Sequence, residues 1–351
     1  MTTIYIRTLK RAEHTVFCVQ DGQKYYYDSQ FNRHIPYSSG QQIKRSILDK
    51  LSAVIKEQPA PTTFLFDLNN KGELKEGEVF ATCDPTYPDQ LFGGWMKASK
   101  GGNEKTVKRR SPLSISAMRG LHPLLAGVDN ENISFDRSDR PNNHIIIRNE
   151  RGEMLSADEI GALLTGKDRS LSRKWIPNNR RAGGLFVQDI AIDLRRLFCV
   201  LLNPIEPEIS PETEVRLRES GWIESVNVFG PCLLAPVAVR ERLIPALADA
   251  LIEWNITSNQ ARTFSLMETL AVTISSNANK IAASIRAKLS EEEENKAYPI
   301  VEEELDGVFT FVSLSAGGYI RTKSETFDAL DRAKQKLIDI MNAFNYENQL
   351  Q

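Results

Sequence analysis

The spacing of apolar residues predicts strands followed by a helix at the start of the chain. Residues 3–9 and 14–20 are rich in β-branched and aromatic residues, which is typical of strands. "YYYDS" at 25–29 is predicted to continue a hairpin after the turn pair Asp21-Gly22. Between residues 41 and 57, apolar side chains recur at helical spacing and therefore share one face of a predicted helix.

The pattern becomes irregular after this helix. "TTFLFDL" at 62–68 is predicted as a strand, but between residues 69 and 182 Gly, Pro, Asn and Lys are frequent and apolar periodicity is short. Within this stretch "NHIIIRN" is predicted as a strand. "SADEIGALLTG" is predicted as a short helix, with Ser156 as N-cap and Glu159 completing a capping box. An irregular insertion of this length is usually functional.

Regular patterning returns at residue 183. Residues 183–202 are strongly β-forming, and a polar, proline-containing excursion follows at 203–222. A helix is predicted near 245–254, and the chain closes with the strand "GVFTFVSLS" and an amphipathic helix from Ser324. This order fits an α+β fold whose βαββαβ sheet, of the RNA-recognition-motif (ferredoxin-like) kind, is split by insertions. Residues 1–68 and 183–351 would then form one domain.

Composition narrows the class of protein. The chain has 351 residues, of which 41% are hydrophobic and 26% charged, as in soluble globular proteins. No apolar run approaches the ~20 residues that span a bilayer, and the first residues lack the apolar segment of a signal peptide. The four cysteines are scattered without a C-x-x-C pair, which favours a reducing compartment. We therefore expect a cytoplasmic protein without a membrane partner.

The net charge of −2 conceals an uneven distribution. Residues 97–119 carry seven Lys or Arg and one acid, and residues 167–181 carry six and one. Acids dominate later, with six in residues 206–224 and eight in residues 291–306. Such runs are often plain solvated surface. Two basic runs in one half of the chain also suit a polyanion such as nucleic acid.

Motifs of catalysis are missing from the sequence. It contains no G-x-x-x-x-G-K-[ST], H-E-x-x-H, G-x-S-x-G or G-x-G-x-x-G pattern. The four histidines are isolated from one another and from the cysteines, so no metal-ligand spacing appears. We therefore predict a protein that is not an enzyme and has no catalytic residue, no metal and no cofactor.

The segment "SSGQQIKR" at 38–45 is the strongest candidate binding feature. It places two cations, Lys44 and Arg45, in the first turn of the predicted helix, where the helix dipole already supplies positive charge. Free backbone N–H groups at a helix N-terminus form an anion site, and the two cations would strengthen it. The alternative is a plain capped helix with incidental cations.

Four segments, taken in order, resemble backbone subunits of type I CRISPR interference complexes (Cascade). These are multi-copy, guide-RNA-binding proteins of the repeat-associated mysterious protein superfamily. The segments are "SSGQQIKR", "DQLFGGWMKAS" (89–99), "KRRSPLSISAMRGLHPL" (108–124) and "GLFVQDIAIDLRRL" (184–197). Gly94 is a departure, because it stands where the family often has Arg.

The resemblance implies a palm, fingers and a thumb. The palm would be a modified RNA-recognition fold made of residues 1–68 and 183–351. The fingers would be the insertion at 69–182, and the thumb a hairpin at about 203–222 that reaches the next copy. Copies would stack along CRISPR guide RNA as a helical filament that presents the guide to target DNA in antiviral defence. Further partners would be other copies, the large subunit and the subunit that binds the guide 5′ end.

The resemblance also implies residue roles. The residues expected to hold the guide backbone are Ser39, Gly40, Gln41, Lys44 and Arg45. Those expected to line the nucleic-acid channel are Lys108, Arg109 and Arg110. Arg173 and Lys174 are candidates for target DNA or a neighbouring copy. Arg195 and Arg196 follow Asp193, so each is a candidate for RNA or for a structural ion pair. Trp95 and Trp175 could stack on a base, and burial is the alternative for Trp95.

Two other functions remain open at this stage. In type III relatives an aspartate before the equivalent serine turn cleaves bound target RNA, and Asp28 is the residue that could occupy that place. The bland interpretation of Asp28 is an exposed turn residue. The second alternative is an RNA-binding module that works alone.

Overall fold

The computed structural model describes residues 1–17, 22–98, 105–140, 142–167, 169–256 and 264–350. Its strands, in chain order, are β1 (Thr3–Thr15), β2 (Tyr25–Asp28), β3 (Arg33–Ser38), β4 (Thr63–Leu65), β5 (Glu78–Phe80), β6 (Trp95–Lys97), β7 (Val107–Arg109), β8 (Leu113–Ile115), β9 (Met118–Gly120), β10 (Ala126–Asp136), β11 (Arg173–Asp193), β12 (Cys199–Leu201), β13 (Ile223–Asn227), β14 (Gly230–Leu234), β15 (Thr269–Ser275), β16 (Ile285–Leu289), β17 (Ala297–Val301), β18 (Phe309–Ser313) and β19 (Glu325–Thr326).

The helices complete an α+β fold. They are α1 (Gly40–Ile55), α2 (Pro88–Gly93), α3 (Ala157–Leu164), α4 (Pro211–Glu219), α5 (Val237–Glu253), α6 (Ala278–Ser284) and α7 (Ala329–Asn342), with a 3-10 helix at Leu314–Gly318. None of the helices in the described ranges is long and apolar enough to cross a membrane.

A ten-stranded sheet forms the centre of the molecule. Its main order is β19-β18-β15-β1-β11-β9-β3-β2, and β8 and β10 also pair with β11. All pairings are antiparallel except that of β18 with β19. β1 lies between β15 and β11 in this sheet, and its side chains Ile4, Ile6 and Leu9 are fully buried. Helix α5 packs against both α1 and α7, and apolar residues of these helices and of β1 belong to one core.

Helix α1 confirms the helix predicted between residues 41 and 57. The Ser39 side chain accepts a hydrogen bond from the Gln42 backbone N–H and so starts the helix. Ile43, Ile47 and Leu51 are buried at the predicted spacing. Lys56 ends the helix in the left-handed conformation.

The hairpin near the start of the chain differs from the prediction. Residues 3–15 form one strand with a bulge between Ala12 and Thr15, where the prediction had two strands. Residues 18–21 lie outside the described residues, and they include Asp21 of the predicted Asp21-Gly22 turn. β2 pairs with β3, and the chain reverses between these strands at residues 29–32.

Two inserted segments carry no buried residue among the residues described in them. We call residues 61–82 the first arm and residues 127–180 the second arm. The first arm holds β4, which pairs with β5 in a separate two-stranded sheet, so the strand predicted at 62–68 is short and lies outside the central sheet. The second arm holds α3, whose capping box from Ser156 to Glu159 confirms that prediction. "NHIIIRN" is not a strand, because only an isolated bridge at Arg148 forms there.

Both arms contain the same turn. It is built from "LNNKGEL" at 68–74 and "RNERGEM" at 148–154. In each turn an Asn side chain, Asn69 or Asn149, accepts the backbone N–H groups two and four residues later. A glycine with positive φ, Gly72 or Gly152, closes the turn. The shared N-x-[KR]-G-E pattern is an internal repeat that the sequence analysis missed.

The segment at 203–222 is not a hairpin, so the predicted thumb structure is wrong there. Residues 211–219 form helix α4, which Ser210 caps. Ile209, Leu217 and Trp222 are buried in the main core and hold the segment against the body. These three apolar residues are separated by many polar ones, which is why the sequence of this segment predicts a polar excursion.

Two details of the C-terminal half also differ from the prediction. Helix α5 begins at Val237, earlier than expected, and carries Pro245 inside it. Helix α7 begins at Ala329, later than the predicted start at Ser324, and Phe327 before it is 89% exposed. Cys83, Cys199 and Cys232 are free and buried.

Candidate nucleic-acid interface

The start of α1 is held against the edge of β8 by a close backbone approach. A Cβ atom at Gly40 would lie 2.5 Å from the Ile115 carbonyl oxygen, so a side chain does not fit there. The first N–H groups of a helix have no acceptor inside the helix. Ser39 accepts that of Gln42 at 3.3 Å, which leaves the N–H groups of Gly40 and Gln41 for another acceptor. Ser39, Gly40 and Gln41 therefore lie at a capped helix N-terminus of the kind that can bind an anion, and that role stays a prediction.

Lys44 is a half-buried cation on the first turn of α1. Burial, with a smaller contribution from the charge of Arg109, lowers the pKa of its ammonium group to about 8. Within the described residues, no carboxylate or hydrogen-bond acceptor contacts its Nζ atom. A cation in such surroundings is stabilised when an anion binds beside it.

Arg45 lies on the exposed side of the same turn. Its Nε atom is 2.8 Å from an Asp49 carboxylate oxygen, in an i,i+4 ion pair. Both side chains are more than half exposed, and such surface pairs contribute only about 0.3–0.5 kcal/mol. Arg45 can therefore exchange Asp49 for a phosphate at little cost.

The Arg109 guanidinium is buried and bonded within the protein, which corrects the prediction that it is available to nucleic acid. Arg109 is 4% exposed, and its guanidinium donates to the backbone carbonyls of Leu91, Arg196 and Cys199. Glu208, also buried, lies 3.8 Å away. These contacts join the end of α2 to β12, so Arg109 is a structural residue whose charge acts on the interface through Lys44.

The neighbours of Arg109 on the chain are exposed instead. Lys108 is about half exposed and pairs with Glu206 at 2.8 Å, and Arg110 is exposed. A cavity of about 490 Å³ opens here. Its charged lining residues are Lys108, Arg109, Arg110, Arg196, Glu206 and Glu208, and its aromatic lining residues are Trp95 and Phe229. The cavity thus combines cations and aromatic rings with two carboxylates, which already pair with Lys108 and Arg196.

Arg195 and Arg196 both form ion pairs, the structural role that the sequence left open for each, and an RNA contact by either stays a prediction. Arg195 donates to both Asp193 oxygens, at 2.8 and 2.9 Å, and this pairing raises the pKa of its guanidinium. Arg196 stacks on Phe229 with its guanidinium carbon 3.9 Å from the ring centroid, and pairs with Glu208 at 3.2 Å. Phe229 contacts both arginines, and no motif in the sequence marks it as a binding residue.

Arg173 and Lys174 are not brought to these residues. Both lie on the second arm, where β11 pairs with β10. Arg173 pairs with Asp136 at 2.6 Å, and Lys174 is exposed. Trp175 beside them is 59% exposed, whereas Trp95 is buried and donates its indole N–H to the Glu208 carbonyl, so burial is the correct interpretation of Trp95.

A second network beside the helix start was also missed by the sequence analysis. Asp189 on β11 pairs with Arg7 at 2.6 Å and with Arg119 at 3.3 Å. Ser116 accepts the Asp189 backbone N–H, and its own backbone approaches Gly40. Arg119 is 42% exposed and belongs to the first basic run, which was the available signal. No group of three or more metal-ligating side chains occurs within the described ranges.

No family model and no curated protein matches the chain. Among solved structures, the chain is similar to one from a "CRISPR RNA-guided surveillance complex, pre-nicking", with 9% identity and a TM-score of 0.46 over 97% of this chain and 89% of that chain. It is also similar to a chain from a "CRISPR RNA-guided surveillance complex", with 11% identity and a TM-score of 0.42 over 95% of this chain and 99% of that chain.

Proposed function

We propose that this protein is a repeated backbone subunit that binds guide RNA in a Cascade-type complex. The observation that carries the proposal is Lys44, a half-buried ammonium group at a helix N-terminus with no anionic partner in the described residues. Its burial costs stability in the free protein, and a bound phosphate offsets that cost. The four segments that resemble Cascade backbone subunits indicate that the phosphate belongs to guide RNA.

The strands around β1 support a palm of the RNA-recognition kind. β11 and β15 flank β1, both antiparallel to it, and β8 pairs with the far side of β11. Along the chain α1 separates β1 from β8, and α5 separates β11 from β15. This arrangement corresponds to a βαββαβ order with insertions. In this proposal residues 1–68 and 183–351 contribute the palm together with β8, and the rest of residues 69–182 contributes the fingers.

The reach to a neighbouring copy is assigned to the second arm in place of residues 203–222. The arm has no buried residue among its described residues, and it exposes large apolar side chains that a partner could cover. The most exposed of these are Ile146, Met154 and Trp175, at 63%, 71% and 59%. Segment 203–222 is anchored in the core and is therefore less suited to this role.

Binding through these groups would not depend on the base sequence of the guide. N–H groups and cations contact phosphates, which position a strand without reading it. Base pairing between guide and target DNA would then supply the specificity for antiviral defence, as in other RNA-guided systems. The other Cascade subunits would complete the complex, and this subunit would have no catalytic role.

Asp28 is best explained as a turn residue under this proposal. Its carboxylate accepts the Phe31 backbone N–H at 3.0 Å, within the turn that joins β2 to β3. That contact accounts for an aspartate at this position without catalysis. The type III-like alternative requires metal-dependent RNA cleavage that is lost in Asp28→Ala.

Co-purification from cells that express the neighbouring genes tests the proposal directly. Sequencing should find uniform guide RNAs with repeat-derived ends bound to the protein. Wild-type protein that carries only heterogeneous cellular RNA would overturn the proposal. A single protein copy on each RNA would favour a module that works alone.

A further inference from the structure

The hairpin formed by β2 and β3 carries aromatic rings on both of its faces. We propose that these rings form a stacking site for the bases of single-stranded nucleic acid, separate from the phosphate-binding start of α1. The inference rests on the proposed function, because it assumes that a single strand lies along this part of the molecule.

Three rings form a ladder on one face of the hairpin. The His34 ring meets the Tyr25 ring edge-on at a centroid distance of 4.9 Å and the Tyr27 ring at 5.5 Å. The register explains this arrangement, because Tyr27 lies opposite His34 and Tyr25 lies opposite Pro36. Tyr27 is 55% exposed at the end of the ladder, so solvent reaches the ring on which a base would stack.

The opposite face presents a second exposed ring. Tyr26 lies 6.2 Å from Tyr37, centroid to centroid, and is 42% exposed. Ile35, its partner across the hairpin, is fully buried and connects this face to the core. The strand edge therefore offers Tyr26 and Tyr27 on adjacent positions, pointing to opposite faces.

One cation contacts a ring of the hairpin, and two more lie on the hairpin itself, where they could complement a phosphate backbone. The Arg180 guanidinium carbon lies 4.0 Å from the centroid of Tyr25. Lys24 and Arg33 are exposed on the hairpin, and Asp28 is the acid among described residues 22–38. Aromatic rings interleaved with cations are the usual construction of sites that bind single strands without sequence preference.

The stacking site and the phosphate site lie on one continuous stretch of chain. β3 runs from His34 through Ser38 directly into Ser39, which caps α1. Five strand residues extend about 17 Å, a distance that a few nucleotides can bridge. One strand could therefore place its phosphates at the helix start and its neighbouring bases on the hairpin.

Cross-strand aromatic pairs also stabilise hairpins, and this structural role must be separated from binding. A purely structural role would change the melting temperature and leave the environment of a bound base unchanged. The probe is an oligoadenylate RNA with 2-aminopurine at single positions, since stacking quenches its fluorescence. A matched oligonucleotide carries an abasic site at the same position.

We expect Tyr26→Ala/Tyr27→Ala to weaken binding of the intact oligonucleotide by about 5-fold to 150-fold, the range measured for loss of base stacking. Tyr27→Phe, tested alone, should retain affinity and quenching, because it keeps the ring. The control is Tyr298→Ala, which removes a tyrosine of similar exposure, 40%, from the hairpin of β16 and β17, where Lys296 lies 5.8 Å from its ring. That variant should bind like wild type.

The abasic oligonucleotide distinguishes the possible failures. Wild type should bind the abasic oligonucleotide more weakly than the intact one when the missing base is the one that stacks. The double alanine variant should bind the two oligonucleotides equally. If a folded double variant keeps wild-type affinity and quenching, the stacking site is refuted and the proposed function stands. If wild-type protein binds neither oligonucleotide, the proposed function itself fails.

Discussion

Lys44 makes RNA binding depend on pH in a range where most side chains do not titrate. The pKa of its ammonium group in the free protein is about 8. A phosphate at the helix start favours the charged form and returns this pKa towards the ordinary value for lysine. Binding above pH 8 therefore requires uptake of one proton per subunit.

The magnitude follows from the fraction of Lys44 that is charged before binding. That fraction is about 0.9 at pH 7 and about 0.1 at pH 9, so affinity should fall about tenfold between these values. The assay is fluorescence anisotropy with an oligoadenylate RNA, whose bases do not titrate in this range. Lys44→Arg should abolish the fall, because arginine stays charged, whereas Lys44→Met should bind weakly at both pH values.

Lys44→Met, which should weaken RNA binding, should increase the stability of the free protein. Because folding lowers the pKa of Lys44, its charge destabilises the fold at pH 7, and this cost disappears as pH rises through 8 towards 10.5. Discounted for the exposed part of the side chain, the cost is about 1 kcal/mol. Lys44→Met should therefore raise the melting temperature at pH 7 by about 1–2 °C.

Lys56→Asn provides the matched control. It removes a cation from the other end of α1, at a left-handed position that asparagine tolerates, and should keep the wild-type pH profile. Wild-type affinity that is constant from pH 7 to 9 would refute the reasoning, as would a fall that persists in Lys44→Arg.

Three further outcomes follow from the geometry of the interface. Arg109→Met should destabilise the fold by about 3 kcal/mol in denaturant unfolding, because it removes one of the cations beside the buried Glu208. Arg110→Ala should melt like wild type, and salt titrations should show the salt slope of log affinity reduced by about 0.7. Gly40→Ala should lower stability and RNA affinity together, since its Cβ atom would lie 2.5 Å from a carbonyl of β8, and a well-folded, fully binding variant would contradict that. Asp28→Ala should leave complementary RNA as intact as wild type does in a gel assay with Mg²⁺, and cleavage by wild type alone would favour the nuclease alternative.

Local sequence signals predicted the elements whose structure is determined locally. Ser39 and the apolar spacing after it define α1, and Ser156 with Glu159 defines the start of α3. These features depend on contacts three or four residues apart, which a single sequence displays.

Contacts between residues that are far apart in the chain could not be predicted from the sequence. Arg109 is structural because it donates hydrogen bonds to the carbonyls of Leu91, Arg196 and Cys199. No residue spacing in the sequence indicates that these three carbonyls lie together. The neighbours of Arg109 in a basic run made it look exposed. Segment 203–222 was predicted to project from the body because its composition is polar. Leu217 and Trp222 are isolated apolar residues within it, and they anchor it in the core.

The number of copies bound to RNAs of increasing length tests the central claim most directly. Mass photometry of wild-type protein on a series of guide RNAs should show copy number rising by one for each fixed increment of length. Lys44→Met should require more protein to reach the same steps. A single copy on every RNA, whatever its length, would contradict a repeated backbone subunit.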